Sequence, residues 1–191
     1  MAFKDNFVIF QELAVNERYL LRQVKPESDL DAYCDIYSDG ELMKYYEGGT
    51  TTSENERILL ILKNQIKEFE KAKVYTWTIS DKKSGRALGR IHLSNFECDN
   101  KIANIGYFLN RDFWGRGIAS ACIKPVVEFG FSTLHLERIY TTVHHDNIGS
   151  WKALEKNGFI REGLLRHCFN LKSGLCDCFM YSKLSTDKCE K

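Results

Sequence analysis

The chain has almost no net charge, almost no proline and no long apolar run. Its 27 basic residues stand against 26 acidic ones, a formal charge of +1. That balance gives no electrostatic ground for binding nucleic acid or an anionic membrane surface. No window approaches the ~20 apolar residues of a membrane-spanning helix. The opening MAFKDNFVIFQEL lacks the apolar core and small-residue cleavage site of a signal peptide. With 2 prolines in 191 residues, no repeat and no low-complexity tract, nothing reads as a hinge or linker. The expectation is one domain spanning residues 1–191. The 7 cysteines form no CxxC pair. Cys176 and Cys178 bracket Asp177, a spacing that suits neither a zinc knuckle nor a redox motif. Free thiols in a reducing cytoplasm are expected, not a disulfide framework, and no metal is expected.

What is present describes a globular protein. Hydrophobic residues make up 43% and aromatic residues 13%, enough for a sizeable core. Arg18 to Val24 reads as a strand bounded by Pro26. Ser28 with Asp31 reads as a capping box opening a helix whose apolar positions are Leu30, Cys34 and Tyr37. Asp39-Gly40 breaks it. Leu42, Met43 and Tyr46 suggest a second short helix, ended by Gly48-Gly49. Ser53 with Glu56 is a further capping box, opening a long helix with Ile58, Ile61, Leu62, Ile66 and Phe69 on one face. The period then changes to two. Strands are expected at residues 74–80, 87–93 and 104–109, with DKKSG turning the first pair. A helix follows from about Ile118 to Phe131, with Pro125 inside it costing a hydrogen bond. Arg138 to Val143 is a strand. Asn147 caps a short helix that ends at Gly158, and two last strands run from Phe159 to about Phe169 and from Cys176 to Leu184. The fold class is mixed α/β on a mostly antiparallel sheet.

One stretch asks for a chemical reason. RDFWGRGIASA, residues 111–121, places two glycines around an arginine where a strand gives way to a helix. A helix start leaves about four amides unpaired and carries the positive end of the dipole. Gly115 and Gly117 put no Cβ in the way, Ala119 and Ser120 keep the approach clear, and Arg116 adds charge. A phosphate or pyrophosphate cradle fits these residues; so does a plain tight turn. The stretch matches neither GxxxxGK[ST] nor GxGxxG.

The runs IGYFLNRDFWGRGIA, LERIYTTVHHDN and NIGSWKALEKNGFIREG together resemble the GNAT acetyltransferases, within them the branch of the ribosomal-protein-alanine N-acetyltransferases. The resemblance runs from about Glu17 to Leu184. The family's Q/R-x-x-G-x-G/A motif falls on Trp114, Gly115, Arg116, Gly117, Ile118 and Ala119, with Trp114 in place of Gln or Arg. The second hallmark, N-x-x-S before E-K-x-G-F, is met by Asn147, Ser150, Glu155, Lys156, Gly158 and Phe159. The resemblance implies a sheet whose central strands splay, Phe108-Leu109 from Thr142-Val143, with acetyl-CoA between them. Its pantetheine would meet the strand edge at Phe108, Leu109 and Asn110, its pyrophosphate the amides of Gly115 to Ala119, and Asn147 would hold the other side.

The reaction implied is acetyl transfer from the thioester to a primary amine. Many members place a tyrosine proton donor seven residues after the asparagine; here that position is Leu154. The ribosomal branch assigns the role to the serine, which is Ser150, although a plain helix-capping role also fits it. The branch's glutamate base would fall at Phe169. His167 lies two residues earlier, on the same face of a regular strand, and its imidazole suits proton transfer near neutral pH. His144 and His145 are rivals, and a hydrated path without a base remains a third route. Glu162 and Asp177 are expected to orient backbone or an arginine such as Arg161 or Arg166. Tyr45-Tyr46 would border the acceptor pocket, with Glu41, Glu47 and Glu54 favouring a cationic amine or lying on solvated helix faces. The acceptor is expected to be a protein N-terminal α-amine. The alternatives are a small amine such as a polyamine or antibiotic, or a non-catalytic acetyl-CoA-binding module. The assembly is left open between monomer and homodimer.

Overall fold

In the computed structural model, residues 7, 9–46, 54–97, 99, 101–171 and 174–187 are described. The elements run β1 (Leu13–Ala14), β2 (Tyr19–Arg22), α1 (Pro26–Ser38), α2 (Gly40–Met43), α3 (Asn55–Glu70), β3 (Tyr75–Asp81), β4 (Ala87–Glu97), β5 (Ile102–Leu109), α4 (Ile118–Ser132), β6 (Arg138–His144), α5 (Ile148–Lys156), β7 (Ile160–Leu171) and β8 (Gly174–Leu184). They build an 8-stranded sheet in the order β1-β2-β3-β4-β5-β6-β8-β7. Every neighbouring pair is antiparallel except β5 and β6.

That parallel pair positions the site. β5 and β6 are bonded only from Ile102–Arg138 to Asn104–Tyr140. Beyond there, β5 stays with β4 as far as Leu109, and β6 stays with β8 as far as His144. Each strand keeps its outer partner while the inner edges part, so the C-terminal half of β5 presents an unpaired edge.

Two apolar layers flank the sheet. On one face α4 packs Phe129 against Tyr75 and Trp77, whose rings lie 4.9 and 5.2 Å from it. On the other, α1, α2 and α3 bury Tyr33, Ile36, Tyr37, Leu42, Met43, Ile58 and Leu62 with Phe108. Strand β3 is buried on both faces, so its threonines need partners; Thr78 Oγ1 lies 3.0 Å from the Tyr33 hydroxyl.

Local chemistry shifts several boundaries. Helix α1 begins at Pro26 with Lys25 as N-cap and no side-chain capping bond, so Ser28 is not the cap. Proline preset at the first turn starts the helix earlier. The buried stripe is Asp29, Tyr33, Ile36 and Tyr37, one position off the expected face of Leu30, Cys34 and Tyr37. Asp29 is buried because Arg22 grips both its oxygens at 2.8 and 2.7 Å and the Lys25 amide donates to it. Helix α3 starts after Glu54 without a side-chain cap. Ser53, Gly48-Gly49 and Glu47 lie outside the described residues. Strand β1 is an addition to the expected set.

Glu162 pairs with Arg138, through two bonds of 2.6 Å, not with Arg161 or Arg166. Arg161 lies instead over the Phe179 ring. Asp177 accepts from the His167 amide. The 5 cysteines among the described residues are unpaired; Cys98 and Cys189 fall outside them. No helix among the described residues is long and apolar enough to cross a membrane.

Candidate active site

The parted strands open onto a cavity of about 580 Å³. Its wall comes from four segments: α2 and the residues after it, the end of β5, the turn into α4, and α5 with the two residues before it.

The turn explains its glycines. Gly115 and Gly117 have φ of +71° and +73°, left-handed values that cost an L-residue about 1–2 kcal/mol. An ideal Cβ on either would meet nothing within 4 Å. The glycines are therefore required by the backbone's conformation, and the space beside them is open to a ligand. Gly117 is the N-cap of α4, and its carbonyl accepts from Ala121. The first amides of α4 thus point out of the helix beside that space.

At the β5 edge, antiparallel alternation decides which groups are free. The Asn110 amide donates to Leu88 and so faces β4. Tyr107 and Leu109 face the opening, and both carbonyls are taken. Tyr107 O accepts from the Tyr46 hydroxyl at 2.6 Å, and Leu109 O from Trp114 Nε1 at 2.6 Å. The amides of Tyr107 and Leu109 are left to face the opening.

On the far wall, Asn147 caps α5 by accepting from the Ser150 amide at 3.3 Å. Ser150 lines the cavity, and its Oγ lies 3.0 Å from the Tyr107 hydroxyl, which also reaches the Ser150 carbonyl at 3.0 Å. Burial pushes the Tyr107 phenol well above its ordinary pKa. It therefore stays protonated and can keep donating to the serine.

The wall includes Phe108, Leu109, Trp114, Gly115, Gly117, Ile118, Ala119, Asn147 and Ser150. It does not include Asn110, Arg116 or His167. Asn110 caps the short 3-10 turn Arg111–Phe113. Arg116 is exposed and donates to the Asp112 carbonyl at 2.8 Å while lying over the Phe113 ring. His167 is exposed and has φ of +50°. The β7–β8 register shifts between Leu165 and Phe169, so the two-residue alternation that would set His167 and Phe169 on one face is broken there.

Sequence reasoning missed three contributors, Tyr107, Lys152 and Lys156, and expected Tyr46 only as a border of the acceptor pocket. Tyr107 and Tyr46 form the bonds just described. Lys152 and Lys156 bring positive charge to the wall from one face of α5, a spacing of four that was readable in the sequence. Of the rival histidines, His144 stacks on Tyr45, ring centres 5.3 Å apart, and its Nδ1 accepts from the Asp146 amide. Tyr45 and Asp146 both line the cavity. Burial, then the neighbouring His145, lowers the His144 pKa from its ordinary 6.5. His144, His145 and Asp146 are also the one group among the described residues whose potential metal-ligating atoms lie within 4.8 Å of one another.

Comparison with known proteins decides the family. Residues 18–160 match the Acetyltransferase (GNAT) domain. The chain belongs to the GNAT acetyltransferase family. It is 31% identical over 177 residues to the uncharacterized N-acetyltransferase p20 of Bacillus licheniformis, covering 92% of this chain and 98% of that one. It is 29% identical over 102 residues to the ribosomal-protein-serine acetyltransferase of Escherichia coli, covering 53% of this chain and 57% of that one. Its fold matches a ribosomal L7/L12 α-N-protein acetyltransferase solved in complex with coenzyme A, with a TM-score of 0.82, 20% identity and coverage of 91% and 98%. This GNAT protein is an N-acetyltransferase, and the sheet, its opening and the flanking helices are those of the family fold.

Proposed function

We propose that the chain, as one domain over residues 1–191, transfers acetyl from acetyl-CoA to a primary amine, and that the amine is the N-terminal α-amine of a protein. The observation that carries this reading is the single cavity wall joining the glycine turn, the open β5 edge and Ser150. An elongated, anionic thioester suits that wall. Gly115 to Ala119 and the first amides of α4 receive the pyrophosphate, with Lys152 and Lys156 supplying the charge that Arg116 was expected to give. The Leu109 edge and Asn147 flank the pantetheine. The Tyr107 and Leu109 amides are donors available to the thioester oxygen as it gains charge.

The amine nitrogen bonds to the acyl carbon, the carbon–sulfur bond breaks, and the amine's proton must leave. Ser150 hydrogen-bonds the departing thiolate, held in place by Tyr107. His144 is the imidazole this geometry favours for the proton: its lowered pKa keeps it neutral near pH 7, and it takes the proton on Nδ1 once that nitrogen releases the Asp146 amide. His167 has no comparable contact with the wall. The α-amine acceptor rests on the names of the ribosomal-protein acetyltransferases to which the chain is similar. A cytoplasmic setting rests on 7 cysteines without a CxxC pair.

The test is release of coenzyme A from acetyl-CoA with unacetylated N-terminal peptides and, separately, with spermidine. Turnover with the peptides, lost in S150A, is the expected result. Turnover with spermidine alone would replace the protein acceptor with a small polyamine. No turnover with any amine would remove the enzymatic reading of this site.

A further inference from the structure

The α1–α3 face of the sheet carries polar groups that the chemistry above leaves unused. Arg90 and His92 stand two residues apart on β4, paired with Phe108 and Gly106 of β5. Arg90 donates to the Tyr37 hydroxyl at 3.3 Å and lies over the Phe108 ring at 4.8 Å. No carboxylate among the described residues forms an ion pair with it, and its Nε is buried without a partner. The His92 Nδ1 is likewise buried and unpartnered, although the residue keeps part of its surface. Gln65, on the helix covering this face, has both amide atoms buried and unpartnered.

Such groups are uncommon in folded proteins, because a buried polar atom that nothing bonds keeps the full cost of leaving water. Here a guanidinium, an imidazole and an amide share that condition on one side of the sheet. Arg90 adjoins the cavity through the Phe108 ring. Phe108 and Tyr46 both line that cavity, and their rings lie 5.5 Å apart. The absence of a side chain at Gly106 is also informative. A Cβ there would lie 2.5 Å from His92 Cε1 and 2.7 Å from Nε2. The imidazole therefore lies over the bare Gly106 backbone of β5, in the room a side chain there would take.

We infer that the acceptor carries a carboxylate besides its amine, and that this carboxylate docks on Arg90, with His92 two residues along the same strand beside it. The inference rests on the acetyl-transfer reading of the neighbouring cavity. The planar fork of a guanidinium matches a carboxylate, and the free Nε is one prong of it. Aromatic walls exclude water and strengthen the pair. Docking there would bring a negatively charged acceptor to the acyl carbon from the face opposite Ser150 and Tyr107.

The experiment compares acceptors that differ in that charge, L-alanine against alaninamide and Asp-Ala-Ala-amide against Asn-Ala-Ala-amide, each with saturating acetyl-CoA and with rates referred to the unprotonated amine. The carboxylate member of at least one pair is expected to show kcat/KM about tenfold or more above its neutral partner, the worth of one charged hydrogen bond. R90Q should bring it down to the neutral partner's level, and R90K should restore part of the gap. The first pair reports a free amino acid and the second an acidic N-terminus. Equal rates within both pairs, or an R90Q loss that is the same for charged and neutral members, would overturn the inference. Should no amine turn over, N-acetyl-L-alanine and its amide are titrated into the coenzyme A-loaded protein. Binding of the acid alone, lost in R90Q, supports the carboxylate pocket even as the enzymatic reading falls, and equal or absent binding of the two overturns it.

Discussion

Replacing Tyr107 by phenylalanine removes one oxygen and tests whether Ser150 is held for chemistry or only packs in the first turn of α5. The Tyr107 hydroxyl lies 3.0 Å from Ser150 Oγ and 3.0 Å from the Ser150 carbonyl. The carbonyl also lies in the first turn of α5, where a helix bond remains available to it. The stability cost is therefore that of about one neutral hydrogen bond, roughly 0.5–1.5 kcal/mol. In a chain of this size it corresponds to a melting temperature lowered by about 1–6 °C. The catalytic cost follows from losing the orientation of the serine. One bond of about 1 kcal/mol made only in the reacting geometry slows kcat about fivefold. S150A removes the donor itself and should slow kcat by about a hundredfold or more. The decisive assay is the double variant. If Tyr107 acts through Ser150, adding Y107F to S150A changes kcat no further. A fivefold loss in both backgrounds would refute the link, since Tyr107 would then act on something other than the serine.

The remaining predictions use other parts of the structure. With His144 as proton acceptor, kcat/KM should show a limb that rises with pH through a value below 6.5, because only the neutral ring accepts and burial lowers its pKa, separate from the further rise as the acceptor's α-amine loses its proton at about 8; H144Q should flatten the lower limb, while H167Q leaves it in place. D29N leaves Arg22 buried without its partner and should cost about 3 kcal/mol in denaturant unfolding, since the two side chains are only 3% and 7% exposed. K152A/K156A should weaken acetyl-CoA about fivefold to tenfold at low ionic strength, and the gap should narrow as added salt screens the charges.

Much of the fold was legible because its signals are local. The changes of period marked β3, β4 and β5, and the glycine turn, Asn147 and Gly158 each announced a helix end through their own backbone needs. The same locality brought out the residues of the glycine turn and Ser150. What stayed hidden depends on how elements meet. Tyr107 reads as one more alternating strand residue until α5 packs over it. Tyr46 gains its role only when α2 reaches the β5 edge. His167 was misplaced because a register shift in β7 cannot be seen in residue types alone. Ser28 lost its role to Pro26 two residues earlier, and Glu162 found Arg138 on a strand distant in sequence. Arg90 and His92 looked like ordinary strand residues; only the sheet shows that nothing among the described residues neutralises the one or bonds the other's buried nitrogen.

The central claim is that the glycine turn at the start of α4 receives the anionic part of acetyl-CoA, and calorimetric titration of wild type, G117A and G117E tests it most directly. At φ of +73° either substitution strains the backbone by about 1–2 kcal/mol, so both should melt about 2–8 °C lower than wild type. G117A therefore controls for strain. Micromolar binding by wild type, kept within about tenfold in G117A and weakened about a hundredfold or more in a folded G117E, is the predicted result, because only the glutamate sets a negative charge against the phosphates. Equal affinity in G117A and G117E, or no binding by folded wild type, would mean that the glycines only turn the chain.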